Sequence, residues 1–321
     1  MAKKTSRKFF YVLSIAILLF SCNNNENGIT ITPDMFPPQN DTIQEPNDST
    51  EIDSTEENID FQNFLPNEIP PGATPNCFAG AYYRKILSSN DYWLGICGTV
   101  VLPTISFDPQ RINPNKPAQY LDNPSVYLGG RADGQETDIG LTWEVIMTET
   151  GGISADRRAF RPFYRWASHA SSGQESGYGN APVQEKHYFY PGDTVFMSIQ
   201  IINDKTLRFI VEGKGKKFQT DINCNGYTLH GKGEYKRVNA IDQVGNEGKP
   251  VQPTNTKVIG AKWLETYLYR NVEGKIVCIP FNPKRQIDMR CPASNFFNIY
   301  TTQELSSKGG EQIDIYGGGV E

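Results

Sequence analysis

Between Val126 and Val145 the chain reads V-Y-L-G-G-R-A-D-G-Q-E-T-D-I-G-L-T-W-E-V. Ile139, Leu141, Trp143 and Val145 alternate with Asp138, Gly140, Thr142 and Glu144, a period of two that predicts a half-buried strand. The Asp133-Gly134 pair predicts a two-residue hairpin turn joining it to the strand before. Successive strand side chains point to opposite faces, so one face is apolar and the other carries two carboxylates and a hydroxyl. With the apolar face packed on a second sheet, the polar face is left as an open, concave surface.

The same punctuated pattern continues along the chain. Short apolar or alternating runs occupy Tyr92–Leu102, Phe160–Ala167, Lys186–Tyr190, Thr194–Ile202, Thr206–Glu212, Lys217–Ile222 and Gly233–Val244. Val258–Arg270, Lys275–Phe281 and Phe296–Thr301 follow, and Gly, Pro, Asn and Asp separate the runs throughout. Many short strands joined mostly as hairpins, with almost no helical periodicity, predict an all-β antiparallel sandwich over residues 77–321.

The first 76 residues follow other rules. Lys3, Lys4, Arg7 and Lys8 precede an apolar run from Phe9 to Phe20. That run is shorter than the roughly 20 residues a bilayer span needs, but it suits the apolar core of a signal peptide. It closes on Leu19-Phe20-Ser21-Cys22, a lipobox-like end that predicts lipidation of Cys22 and removal of residues 1–22. Asn23 follows, with no Asp there of the kind that marks inner-membrane retention, so the expected address is an outer-membrane lipoprotein, periplasmic or cell-surface facing. Membrane attachment is expected through lipid on Cys22. From Asn23 to about residue 76, Asn, Asp, Glu, Pro, Ser and Thr dominate, and eleven acids stand with no Lys or Arg between Lys8 and Arg84. Such a segment buries too little surface to offset its chain entropy and predicts a disordered acidic tether over residues 23–76.

The tether accounts for the net charge of −5, because residues 84–321 carry 25 acids against 27 bases. A near-neutral domain argues against nucleic acid as a partner. Cys77, Cys97, Cys224, Cys278 and Cys291 lie in an oxidising compartment, where spacing suggests Cys77–Cys97 and Cys278–Cys291 as local disulfides with Cys224 left over. No C-x-x-C pair occurs, and His169, His187 and His230 lack metal-ligand spacing, so no cofactor or metal is expected.

The order of motifs over residues 126–240 resembles the glutamic peptidases (eqolisins). It runs V-Y-L-G-G-R-A-D-G at 126–134, T-D-I-G-L at 137–141, P-F-Y-R-W at 162–166, P-G-D-T-V at 191–195 and G-E-Y at 233–235. The stretch R-V-N-A-I-D-Q at 237–243 also looks like a group of secreted bacterial proteins of unassigned activity. The resemblance implies a concanavalin-like jelly-roll sandwich and an acid hydrolase in which Glu234 is the general base. The family's oxyanion-donating glutamine falls at Asp138, and one of its glutamates at Arg165. An ionised carboxylate only accepts hydrogen bonds, so Asp138 could serve only with a proton shared from a neighbouring carboxyl. Arg161 and Arg165, on one face of their strand, work against that by pairing with carboxylates.

The alternating pattern itself supports a binding surface. Thr142, Glu144, Arg161, Phe163 and Arg165, with Asp138, supply a stacking ring and planar donors and acceptors suited to a glycan or a polypeptide. Trp143 and Trp166 fall in the opposite register and are expected in the core. A third reading is a structural or adhesion lipoprotein whose concave face is only a salt-bridged surface. The expected function is therefore a tethered lipoprotein binding an extracellular polymer, with peptidase-like hydrolysis by Glu234 and Asp138 as the alternative.

Overall fold

The structure is a computed structural model describing residues 29–30, 60–116, 119–147, 153–168 and 175–320. The expected signal peptide, Cys22 and most of the expected tether lie outside the described residues. In chain order the strands are β1 (Ile29–Thr30), β2 (Ala81–Leu87), β3 (Trp93–Val101), β4 (Thr104–Ser106), β5 (Asp122–Ala132) and β6 (Gln135–Met147). Then come β7 (Ile153–Ser168), β8 (Gly177–Asn180), β9 (Thr194–Asn203), β10 (Thr206–Gly213), β11 (Lys216–Asn223) and β12 (Gly233–Gln243). The chain ends with β13 (Lys257–Val272), β14 (Lys275–Pro280), β15 (Ile287–Cys291), β16 (Phe297–Tyr300) and β17 (Glu311–Tyr316). A five-residue helix, Gln303–Ser307, precedes β17.

These strands form the expected antiparallel β-sandwich. The back sheet runs β1-β14-β13-β3-β9-β10-β11, with β4 and β17 also on β13 and β16 on β17. The front sheet runs β15-β2-β12-β5-β6-β7-β8. Its β5–β6 hairpin turns at Asp133 (φ 44°) and Gly134 (φ 76°), the left-handed pair that a tight turn between twisted strands requires.

The core is what the alternation predicts. Ile139 and Leu141 of the front sheet meet Val195, Met197, Ile199, Leu207, Phe209 and Val211 of the back sheet, all fully buried. Trp143 and Trp166 pack against this core, half-buried.

Two expectations need correction. First, the tether does not extend to residue 76. Leu65 is buried, and Glu68 accepts from Arg285 through both carboxylate oxygens, at 2.7 and 3.0 Å, with both side chains almost fully buried. The Ile69 amide donates to Asp91, which also pairs with Arg270 at 2.6 Å. Residues 60–69 thus form a strap packed on the sandwich. Glu68 does have a counter-charge, but one 217 residues away.

Second, neither local disulfide forms. The bond is Cys77–Cys291, with Cα atoms 5.7 Å apart, while Cys97, Cys224 and Cys278 are buried thiols outside that disulfide. Cys278 sits opposite Tyr269 in the back sheet, and Cys291 opposite Tyr83 in the front sheet, so neighbours in sequence fall on different layers.

Candidate functional site

The outer face of the front sheet is the floor of a cleft of about 1020 Å³. Every strand of the sheet except β15 contributes alternate residues: Tyr83 and Lys85 from β2, Lys236 and Asp242 from β12, and Ser125 and Tyr127 from β5. Glu136, Asp138, Thr142 and Glu144 come from β6, Arg161, Phe163 and Arg165 from β7, and Tyr178 and Asn180 from β8. Register aligns them across the sheet. Lys236 lies opposite Gly129, Gly129 opposite Asp138, Asp138 opposite Arg165, and Arg165 opposite Tyr178.

Gly129 matters to that row. A Cβ there would stand 2.1 Å from the Thr137 carbonyl oxygen and 2.8 Å from Lys236 Cε. With no side chain on β5 at this point, the Lys236 stem crosses the strand to β6. Its ammonium donates to Glu136 Oε1 and lies 2.7 Å from Asp138 Oδ1. Burial works to lower the Lys236 pKa, but the charges of Asp138 and Glu136, with their hydrogen bonds, outweigh it and hold the pKa well above the ordinary lysine value. Asp138 Oδ2 accepts from Arg165 Nη1 at 3.4 Å. Further along, Arg161 donates to both oxygens of Glu144 and to the Ala181 carbonyl. The arginine–carboxylate pairing expected on this face is present, and the buried lysine completes it.

All six predicted ligand-facing residues, Asp138, Thr142, Glu144, Arg161, Phe163 and Arg165, line this one cleft. Glu234 does not. It is cross-strand from Arg131, and no hydrogen bond joins it to Asp138 among the described residues. Burial raises its pKa, and Lys85, Arg131 and Lys236 pull it back. Asp138 already has a cation at each oxygen. The arrangement is therefore not two carboxyls sharing a proton over a water, which is what the expected hydrolysis by Glu234 and Asp138 would need.

The floor also holds residues outside the set expected from the sequence. Lys85 has a lowered pKa, first from burial and then from Lys236, partly offset by Glu136, Glu234 and Asp138. Tyr127 meets Phe163 edge to face, with ring centroids 5.9 Å apart. Burial, then the charges of Asp138 and Asp242, raises the Tyr127 pKa far above that of an ordinary phenol. Asp242 accepts from Ser125 Oγ at 2.7 Å, and Asn123 Nδ2 donates to Thr142 Oγ1 at 3.0 Å. The signal for Lys236 and Asp242 is the period of two along β12, which sets Glu234, Lys236, Val238, Ala240 and Asp242 on one face. The rim carries exposed rings: Phe78 at 58 % and Tyr178 at 62 % exposure. Phe107 and Tyr120 stack with centroids 4.1 Å apart. Phe78 is placed by the neighbouring disulfide and by its amide donating to Tyr83 OH at 2.7 Å.

Among the described residues there is no group of three or more His, Cys, Asp or Glu placed to hold a metal ion, and no helix long and apolar enough to cross a membrane.

No known family profile matches the chain, and no curated protein does. Solved structures do resemble it. Scytalido-glutamic peptidase with a transition state analog inhibitor gives a TM-score of 0.43 at 10% identity, over 74% of this chain and 98% of that one. SCP-B, a member of the eqolisin family, in complex with the tripeptide Ala-Ile-His gives 0.40 at 10% identity, over the same shares. The alginate lyase from Klebsiella pneumoniae gives 0.34 at 10% identity, over 65% of this chain and 60% of that one. Each of the three is a likeness at 10% identity with a TM-score below 0.5.

Proposed function

We propose that this chain is a lipid-tethered surface or outer-membrane protein whose concave cleft binds a neutral extracellular glycan. The observation that supports this most is the charge state of the cleft. Six carboxylates (Asp122, Glu136, Asp138, Glu144, Asp242 and Glu247) line it against four cations (Lys85, Arg161, Arg165 and Lys236). Most are already paired with one another, Asp122 is paired with Arg111 just outside the lining, and the remaining surplus is one negative charge. A polyanion would meet repulsion and would have to break those pairs, whereas a neutral sugar finds fixed, planar donors and acceptors. The exposed Phe78 and Tyr178 rings offer stacking surfaces on the rim. Anchoring at the membrane rests on the lipobox-like end at Cys22.

Direct titration on a panel of neutral glycans tests the binding reading. Arg165→Ala and Asp138→Ala should each weaken capture by roughly tenfold or more, as expected for removing a charged hydrogen-bonding partner. Full affinity in both variants for a glycan that the wild type binds would rule out this floor as the site. Acid-dependent cleavage of denatured protein that disappears in Glu234→Gln would instead establish the peptidase-like alternative.

A further inference from the structure

Asp242 differs in its surroundings from the other buried and half-buried carboxylates of the cleft, the sixth, Glu247, standing exposed on a loop. Asp122 pairs with Arg111 at 2.8 Å, Glu136 and Asp138 share Lys236, and Glu144 is clamped by Arg161. Asp242 forms no ion pair among the described residues. Its Oδ2 is held by Ser125, its strand neighbours on β2 and β5 are Ala81 and Asn123, and it lines the cleft half-buried. The charged and titratable groups that act on it are Asp138 from β6, Arg165 from β7, Glu247 from the loop after β12, and Tyr127 from β5. Two of these are acids and one is a cation already engaged with Asp138.

We propose that Asp242 is a ligand-contacting residue of the cleft that binds the glycan as a neutral carboxyl, donating its proton to an acceptor oxygen of the sugar. This rests on the glycan-binding reading and goes beyond it by adding a proton-dependent contact. A ligand seated on the floor strips the remaining water from Asp242 and brings no cation. The ionised form then loses solvation with nothing to replace it, and the neutral form gains an acceptor. The free protein is already biased that way. Burial raises the pKa of Asp242 to about 6, Asp138 and Glu247 adding to the rise while the Ser125 hydrogen bond and Arg165 oppose it. Binding therefore takes up a proton whenever the free carboxyl is ionised, and affinity declines as pH rises through about 6.

The test uses the full chain and two soluble neutral polysaccharides, a galactomannan and a mixed-linkage β-glucan, with binding measured at pH 5 and pH 7.5. Where binding requires the protonated form, affinity should fall about 30-fold between the two. Titration in buffers of different ionisation enthalpy should register uptake of up to one proton at pH 7.5. Asp242→Asn keeps a donor and cannot ionise, so its affinity should be the same at both pH values and close to the wild type's acid value. Ser125→Ala removes a donor that favours the ionised form, so it should move the wild-type midpoint upward and serves as the second arm if the Asn variant folds poorly. Binding with equal affinity at both pH values and no proton uptake would overturn this inference and leave the glycan reading intact. Binding of neither polysaccharide at either pH would take down both.

Discussion

Lys236→Met tests the architecture of the cleft floor. Methionine keeps an unbranched stem to lie over Gly129 and removes the ammonium that Glu136 and Asp138 share. Stranding one side of a buried ion pair costs about 3–5 kcal/mol. Here the Glu136 and Asp138 side chains keep 37% and 18% of their surface exposed, so water partly covers the stranded carboxylates. The expected loss comes down to ~2 kcal/mol, or roughly 4–8 °C in Tm for a domain of this size. Because the pKa of Lys236 is raised on folding, its contribution is fully present below the unfolded lysine value of about 10.4 and is lost only as pH rises through the higher folded value. The loss on mutation should therefore be undiminished at pH 7 and pH 9. Urea unfolding followed by tryptophan fluorescence measures it. A triple variant adding Glu136→Gln and Asp138→Asn should recover most of the loss, since removing both sides of such a pair is close to neutral. A single variant within ~0.5 kcal/mol of wild type, or a triple variant no better than the single, would refute the electrostatic account.

Other outcomes follow from the same structure. Glu68→Ala leaves Arg285 buried without its partner and should cost about 3–5 kcal/mol in denaturant unfolding; a chain beginning at Cys77 should be destabilised comparably relative to one beginning at Asp60. Asp242 holds a proton on folding that the unfolded chain releases, so stability should decline as pH rises from about 4 through about 6. Asp242→Asn should then exceed wild-type stability by ~1–2 kcal/mol at pH 7.5, after discounting for partial exposure, with the gain vanishing near pH 4. Cys22→Ala should shift the chain from the membrane fraction to the soluble fraction on cell fractionation, and no shift would refute lipid anchoring at that residue.

Period-two alternation was enough to read the sandwich, because each strand's buried face is written locally: Ile139 and Leu141 point inward wherever the partner sheet comes from. The same alternation set Asp138, Thr142, Glu144, Arg161 and Arg165 on the outer face. What it could not supply was pairing across the sheet. Lys236 belongs to the site only because β12 and β6 flank β5 and Gly129 leaves a gap between them. That is a fact of strand order, and strands 98 residues apart, such as those of Lys236 and Asp138, carry no local mark of it. The misplaced disulfides and the overlong tether have one cause. Cys291 and Arg285 find Cys77 and Glu68 through the fold, whereas spacing and composition weigh only near neighbours.

The most direct measurement of neutral-glycan binding in the cleft is affinity electrophoresis of the full chain through native gels containing a series of neutral polysaccharides, with alginate as the polyanion. Retardation by at least one neutral polymer, none by alginate, and loss of retardation in Arg165→Ala are the expected results. Migration unaffected by every neutral polymer, or retardation by alginate alone, would contradict neutral-glycan binding.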